Sequence, residues 1–140
     1  RYVTDQGRPR ADIIFHGLLG ADKWRLLREA KVAVTNPTGV GETFGISAAE
    51  LGLLGVPVVT RNAGGPIDVV ASGVSGILFD DERDLPEAVV GLLRDEDRRA
   101  EMGRNAMARV RSRFDIEVVI DRWHQVIDEI LAGDPVAADL

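Results

Sequence analysis

The chain has 140 residues, 45% of them hydrophobic, which is enough for one domain with a real core. Its formal net charge of -6, without a visible basic stripe, argues against a nucleic-acid partner. There is no cysteine for a disulfide, a thiolate nucleophile or a cysteine-based zinc site, so we expect a cytoplasmic protein. No apolar run approaches the roughly 20 residues that span a bilayer, and the residues give no support for membrane contact.

Apolar, β-branched runs alternate with helical patterns over the first 80 residues. Four runs are predicted to be strands, over residues 13–18, 32–35, 57–60 and 76–79. Helical patterns are predicted over residues 21–30, 47–54 and 66–71. Such alternation predicts right-handed βαβ crossovers, and therefore an α/β fold with a Rossmann-like open parallel sheet and helices on both faces.

The C-terminal part is helical throughout. Helices are predicted over residues 85–93, 97–111 and 116–132, and residues 133–140 are expected to be a frayed tail. The aromatic residues Trp24, Phe114 and Trp123 are predicted to pack between helices. There is no internal repeat or linker, so residues 1–140 are predicted to form a single domain. Because the chain begins at Arg1 without a signal-like segment, we interpret it as a piece of a larger protein.

The turn after the second predicted strand carries the most informative motif, with two acids, Glu42 and Glu50, flanking a glycine-bearing turn that opens a helix. It lies at the carboxyl end of a strand, where ligands bind in open α/β sheets. Unpaired amides of residues 44–46 at the helix start suit a phosphate or a ring of hydroxyls. The carboxylates can accept hydrogen bonds from sugar hydroxyls. Together these groups predict a site for a nucleotide sugar.

Each of these features also has a plainer interpretation. Glu42 near a helix N-terminus contributes about 0.3–1 kcal/mol through the helix dipole alone, and an isolated Glu50 is most simply a solvated helix acid. The turn at Gly64 and Gly65 permits close backbone approach to a phosphate or sugar, or merely starts a helix. It is the combination of the two acids with the glycine-marked turn that favours a binding site.

Other chemistry has weaker support. The two histidines, His16 and His124, have no serine, cysteine or aspartate partner at a suggestive spacing, which disfavours a hydrolase triad. Asp80, Asp81 and Asp84 are interpreted as a solvated loop and a helix N-cap instead of a divalent metal site. No metal or cofactor is expected.

The order and spacing of these motifs resemble those of one enzyme family. The residues that carry the resemblance are Glu42-Thr43-Phe44-Gly45-Ile46, Glu50, Gly55-Val56-Pro57-Val58-Val59 and Gly64-Gly65, with Phe15-His16-Gly17 upstream. They resemble the C-terminal, donor-binding domain of retaining glycosyltransferases of the group 1, or family-4, type with GT-B architecture. The likeness extends over nearly the whole chain. It implies a hexosyl-type transferase that takes a sugar from a nucleoside-diphosphate sugar and retains its anomeric configuration.

The resemblance also implies roles for individual residues. Glu42 is the catalytic residue, which contacts the donor sugar near the reacting carbon, and Glu50 holds the ribose hydroxyls. Leu18 lies near the base. The remaining donor-binding residues are Thr43, Phe44, Gly45, Ile46, Gly64 and Gly65.

Departures from the family pattern limit what the chain is expected to do alone. Thr43 stands where the family commonly has glycine, and Asp68 stands where a glutamate is usual. The basic residues that grip the diphosphate in the family belong to a segment before this chain begins, and Arg8 and Arg10 do not match their place. The resemblance implies that the N-terminal acceptor domain lies outside this chain, so the fragment is expected to be inactive and to have a truncated sheet that favours homo-association.

Three alternatives stay open from the residues alone. The nucleotide of the donor is expected to be UDP or GDP, with ADP behind them, and the composition is plausible for a bacterial protein. A non-enzymatic receiver- or flavodoxin-like module is disfavoured, because a receiver carries an acid cluster where this chain has Gly17-Leu18-Leu19-Gly20. A sugar-nucleotide epimerase related to the GT-B enzymes would share the donor site without an acceptor.

Overall fold

The computed structural model of the chain describes residues 16–17, 19–36, 38 and 41–132. Three parallel strands form a sheet in the order β1-β2-β3. The strands are β1 Ala33–Thr35, β2 Val58–Arg61 and β3 Gly76–Phe79. The helices are α1 Asp22–Arg28, α2 Ile46–Leu53, α3 Pro66–Val69, α4 Leu85–Arg94, α5 Glu96–Phe114 and α6 Ile116–Ala132, with a 3₁₀ helix over Glu82–Asp84. The predicted α/β class with an open parallel sheet is confirmed.

The element bounds differ in detail from those predicted. Helix α5 begins one residue earlier and runs on to Phe114, and α3 stops at Val69. The predicted strand over residues 13–18 lies outside the described residues, except for His16 and Gly17, which are in no regular element. The tail over residues 133–140 also lies outside them.

Helices cover both faces of the sheet because successive side chains of a strand point to opposite sides. Val58 packs on one face against Ala48 and Leu51 of α2. Val59 packs on the other face against Leu92 of α4 and Met102 of α5. Since β2 is hydrogen-bonded on both edges and covered on both faces, it forms the centre of the core.

Helix α5 ties the core to the loops at its edge. A side chain at Gly103 would place its Cβ 2.1 Å from the carbonyl oxygen of Gly55, so glycine lets the helix approach the turn between α2 and β2. Further along, Arg109 donates from Nε to the carbonyl of Val69 at 3.0 Å and from its terminal nitrogen to that of Asp68 at 2.9 Å. These bonds satisfy carbonyls at the end of α3, whose helical partners are lacking.

Helix α6 packs against α5 but buries none of its residues. Its exposed apolar side chains are Ile116, Ile120, Trp123, Ile127, Ile130 and Leu131. The prediction that Trp123 packs between helices is wrong, because its side chain is 63% exposed. None of the helices in the described ranges is long and apolar enough to cross a membrane.

Candidate functional site

Two loops meet at the carboxyl edge of the sheet. We call residues 41–45, which lead into α2, the site loop, and residues 62–65, which lead into α3, the glycine turn. The amide of Gly65 donates to the carbonyl of Glu42 at 3.1 Å. A Cβ at Gly65 would lie 2.3 Å from Cα of Phe44, and one at Gly64 would lie 2.3 Å from the carbonyl oxygen of Glu42. The two loops therefore pack backbone against backbone, which the glycines alone permit.

This contact adds a role for the glycine turn that the sequence did not reveal. Gly64 and Gly65 were expected to approach a ligand, and the atoms that they approach in the structure are those of the site loop. Their first function is thus to bring the loop after β1 and the loop after β2 into one surface.

Glu42 lies across the start of α2. Its Oε1 accepts a hydrogen bond from the amide of Gly45 at 2.8 Å and a longer one from that of Phe44 at 3.3 Å. Gly45 is the N-cap of α2 and takes a left-handed conformation, with φ of 91°. The expectation that the amides of Phe44 and Gly45 are unpaired is therefore wrong. The carboxylate occupies the positive end of the helix, where an anion is favoured.

Glu50 lies on α2, one turn beyond Ile46, and forms an ion pair with Lys23 of α1. The ammonium nitrogen of Lys23 is 2.7 Å from Oε1 and 2.9 Å from Oε2 of Glu50. The same nitrogen lies 4.6 Å from the centre of the Trp24 ring. Sequence analysis missed Lys23. The only signal was its position in the helix that follows the first predicted strand, where loops and helix starts border a ligand site.

Phe44 connects the site loop to the end of α5. Its ring meets that of Phe114 edge to face, with centroids 5.2 Å apart and planes at 87°. This arrangement is favourable for two aromatic rings. Phe114 also packs against the core cluster that includes Ala48 and Leu51 of α2, so it contacts both a neighbouring helix, as predicted, and the site loop.

Two threonines lie in register beneath the loops, at the carboxyl ends of their strands. Thr35 of β1 and Thr60 of β2 are paired neighbours in the sheet, and Thr60 is 0% exposed. Within the described part of the chain, neither buried hydroxyl has a hydrogen-bond partner. The next residue, Asn36, has a positive φ of 41°, a conformation that is uncommon outside glycine.

The acids after β3 serve the local structure. Asp80 accepts a hydrogen bond from the side chain of Asn62 at 3.0 Å. Asp81 caps the 3₁₀ helix by accepting the amide of Arg83 at 2.9 Å, and the guanidinium of Arg83 also donates to it, which lowers the pKa of Asp81. Over the described ranges, no group of three histidine, aspartate or glutamate side chains could hold a metal ion. Metal independence stays a prediction.

The structure thus brings most of the predicted site residues together at one edge. Glu42, the other members of the site loop and the glycine turn are in contact, and Ile46 follows at the exposed mouth. Glu50 stands one turn further along α2, with Lys23 beside it. Leu18, predicted to lie near the base, is outside the described residues.

The chain is similar to a known protein family and to several of its members. Residues 4–109 match the family model described as "Glycosyl transferases group 1". The chain is 34% identical over 115 residues to alpha-1,3/1,6-mannosyltransferase alg-2 of Neurospora crassa, an alignment that covers 78% of this chain and 24% of the relative. It is 45% identical over 67 residues to D-inositol 3-phosphate glycosyltransferase of Corynebacterium kroppenstedtii, covering 46% of this chain and 15% of the relative.

Solved structures show the same fold. HepE of Anabaena in complex with UDP superposes with a TM-score of 0.71 at 26% identity, covering 79% of this chain and 30% of HepE. Sucrose-phosphate synthase of Thermosynechococcus elongatus gives a TM-score of 0.72 at 26% identity, covering 86% of this chain and 31% of the synthase. The structural neighbours are glycosyltransferases of GT-B architecture. The chain spans 24% and 25% of the length of two curated relatives that it matches.

Proposed function

The chain belongs to the group 1 glycosyl transferases, and we propose that it is the donor-binding part of a retaining enzyme that transfers a hexose from a nucleoside-diphosphate sugar. The observation that carries the proposal is the contact between the site loop and the glycine turn, with Glu42 at the start of α2. Complexes of the neighbour HepE with UDP and with UDP-glucose support a nucleotide sugar as the ligand. Family membership disfavours the receiver- and flavodoxin-like alternatives.

The proposed roles follow the geometry of the edge. Glu42 contacts the donor sugar near its reacting carbon, and Glu50 accepts hydrogen bonds from the ribose hydroxyls. Backbone amides hold the diphosphate and the sugar hydroxyls, and they belong to Thr43, Phe44, Gly45, Ile46, Gly64 and Gly65. Leu18 lies near the base.

Donor binding then requires an exchange at the start of α2. The Glu42 carboxylate accepts the amides of Phe44 and Gly45 in the structure. When the donor arrives, its oxygens take these two amides, and the carboxylate turns to the sugar hydroxyls. One set of acceptors replaces another, so the helix start does not lose its hydrogen bonds.

In the reaction, the bond between the anomeric carbon and the diphosphate oxygen breaks, an acceptor oxygen bonds to the same face of that carbon, and the acceptor proton passes to the leaving diphosphate. Negative charge grows on the leaving diphosphate. The amides and the positive end of α2 are fixed in place before the reaction, so they stabilise that charge without reorganisation. No metal or cofactor has a role in this proposal.

The acceptor is bound elsewhere. Because the matched relatives are about four times longer than the aligned region, with 24% of alg-2 covered, we propose that a second, acceptor-binding domain completes the enzyme. On this proposal the 140-residue chain binds donor but has no transferase activity by itself.

Calorimetric titration of the chain with UDP, GDP and ADP tests the donor site. We expect saturable binding of one nucleotide, which Glu50→Ala abolishes and the exposed control Glu101→Ala on α5 leaves unchanged. Equal binding by wild type and Glu50→Ala would show that the nucleotide does not bind at this edge of the sheet. If no nucleotide binds at millimolar concentration, the chain is not a donor site on its own, and the same titration of a full-length protein decides whether the residues before it are required.

A further inference from the structure

We propose that Lys23 is a positioning residue of the donor site, which fixes the carboxylate of Glu50 for the ribose of the nucleotide. The inference rests on the proposed function, because it assigns a role to Lys23 only through the ribose contact of Glu50. Lys23 belongs to none of the motifs that identify the family.

The contact joins two elements that are distant in sequence. Lys23 lies in the first turn of α1 and Glu50 lies in α2, 27 residues later. The ammonium nitrogen contacts both carboxylate oxygens, at 2.7 and 2.9 Å. The side chains are only 35% and 25% exposed, so water screens the pair less than it screens an ordinary surface ion pair.

The ammonium is held from a second direction. It lies 4.6 Å from the centre of the Trp24 ring, within the range of a cation–π contact. The amide of Lys23 donates to the carbonyl of Gly20 at 3.1 Å, which fixes the start of α1. The lysine is thus anchored at its backbone and at its charged end, and an anchored group can orient the flexible carboxylate.

The geometry leaves room for a ribose hydroxyl. Each carboxylate oxygen carries two lone pairs, and Lys23 uses one on each, on the side that faces it. The remaining lone pair of either oxygen points away from Lys23 and can accept a ribose hydroxyl proton while the ion pair stays in place. Without Lys23, Glu50 samples several rotamers, and the nucleotide must order the side chain as it binds.

A different role makes a different prediction. If Lys23 leaves Glu50 and binds the diphosphate, its removal weakens every nucleoside diphosphate equally, with or without ribose hydroxyls. If it positions Glu50, its removal weakens only those nucleotides that carry the hydroxyls. Analogues of the ligand therefore separate the two roles.

The experiment is a titration of the 140-residue chain with UDP and GDP and with their 2′,3′-dideoxy forms. The variants are Lys23→Met, Lys23→Arg and the control Lys31→Met, which removes the only other lysine from an exposed position. We expect Lys23→Met to weaken the ribonucleotide that binds by about tenfold, the size of one lost charge-assisted hydrogen bond. The same variant should leave the dideoxy form unaffected. Lys23→Arg should recover part of the loss, and Lys31→Met should match wild type.

Three results would overturn the inference. Unchanged ribonucleotide affinity in Lys23→Met, or an equal loss for ribo and dideoxy forms, contradicts positioning of Glu50 while the proposed donor site stands. Absence of nucleotide binding by the wild type contradicts a donor site formed by the 140-residue chain alone and overturns the inference for this chain. Thermal melting of each variant separates loss of binding from loss of fold, and Lys23→Arg retains the charge if Lys23→Met does not fold.

Discussion

The carbonyl oxygen of Glu42 accepts a hydrogen bond of 3.1 Å from the amide of Gly65, and this bond joins the loops that follow β1 and β2. A ligand at the carboxyl edge of the sheet therefore meets one surface built from two loops. The bond joins backbone atoms, so it does not depend on the side chain at either position. A side chain at position 65 would disrupt it only by colliding with the site loop.

Gly65→Ala should disrupt this junction. Its Cβ would lie 2.3 Å from Cα of Phe44 and from the carbonyl oxygen of Thr43, so the backbone of the site loop must shift. We expect a loss of about 1–3 kcal/mol in the free energy of unfolding, together with weaker nucleotide binding. Chemical denaturation and titration measure the two effects.

The matched control is Gly91→Ala in α4, where nothing lies within 4 Å of the added Cβ. This variant should gain about 0.5–1 kcal/mol, because alanine is the better helix former. If Gly65→Ala is as stable as Gly91→Ala, the loops are not in the contact described.

The two functions of Glu42 can be separated by comparing Glu42→Gln with Glu42→Ala. The glutamine oxygen can still accept the amides of Gly45 and Phe44, whereas alanine removes the partner of both amides just before α2. We expect Glu42→Ala to lower stability by about 1 kcal/mol, as for loss of a hydrogen bond, and Glu42→Gln to lower it less. Thermal melting distinguishes them, and equal melting temperatures for wild type and both variants would contradict a stabilising role of these hydrogen bonds.

Thr60→Val tests the buried hydroxyl beneath the loops. Thr60 is 0% exposed, and its hydroxyl has no partner within the described residues. Valine has nearly the same shape and removes the unpaired group, so we expect stability to rise by about 1 kcal/mol. Denaturant unfolding checks the sign. A marked loss would mean that the hydroxyl is hydrogen-bonded in solution, for example to an ordered water.

Arg109→Met should destabilise α3, the helix that follows the glycine turn. Arg109 donates to the carbonyls of Val69 and Asp68, at the end of the helix that the turn begins. Losing these bonds should cost about 1–3 kcal/mol. Arg104→Met, an exposed position on the same helix, is the control and should stay close to wild type. Equal denaturation midpoints for the two variants would show that the bonds do not contribute.

Strands β1, β2 and β3 and the fold class were predictable because their causes are local. The run Val58-Val59-Thr60 is β-branched throughout, as a strand buried on both faces should be, and it forms β2. The glycine pair at 64–65 similarly marked a turn before a helix. The family motifs added the site loop and its two acids.

The contacts within the site were not predictable from the sequence. The pairing of Glu50 with Lys23 depends on how α1 lies against α2, which no local pattern specifies. The hydrogen bonds from the amides of Phe44 and Gly45 to Glu42 depend on the rotamer of the Glu42 side chain, which the sequence does not specify. Trp123 was misplaced because an amphipathic pattern identifies the apolar face of a helix without identifying what covers it.

The central position of β2 also determines how stability is distributed along the chain. Val58, Val59 and Thr60 are at most 1% exposed, and the strand is paired on both sides. Its paired amides should exchange with solvent only when the whole domain unfolds, whereas those of the site loop exchange through local opening. The side chain of Glu42 can thus turn toward a ligand, while the strand ends that support the loops stay fixed.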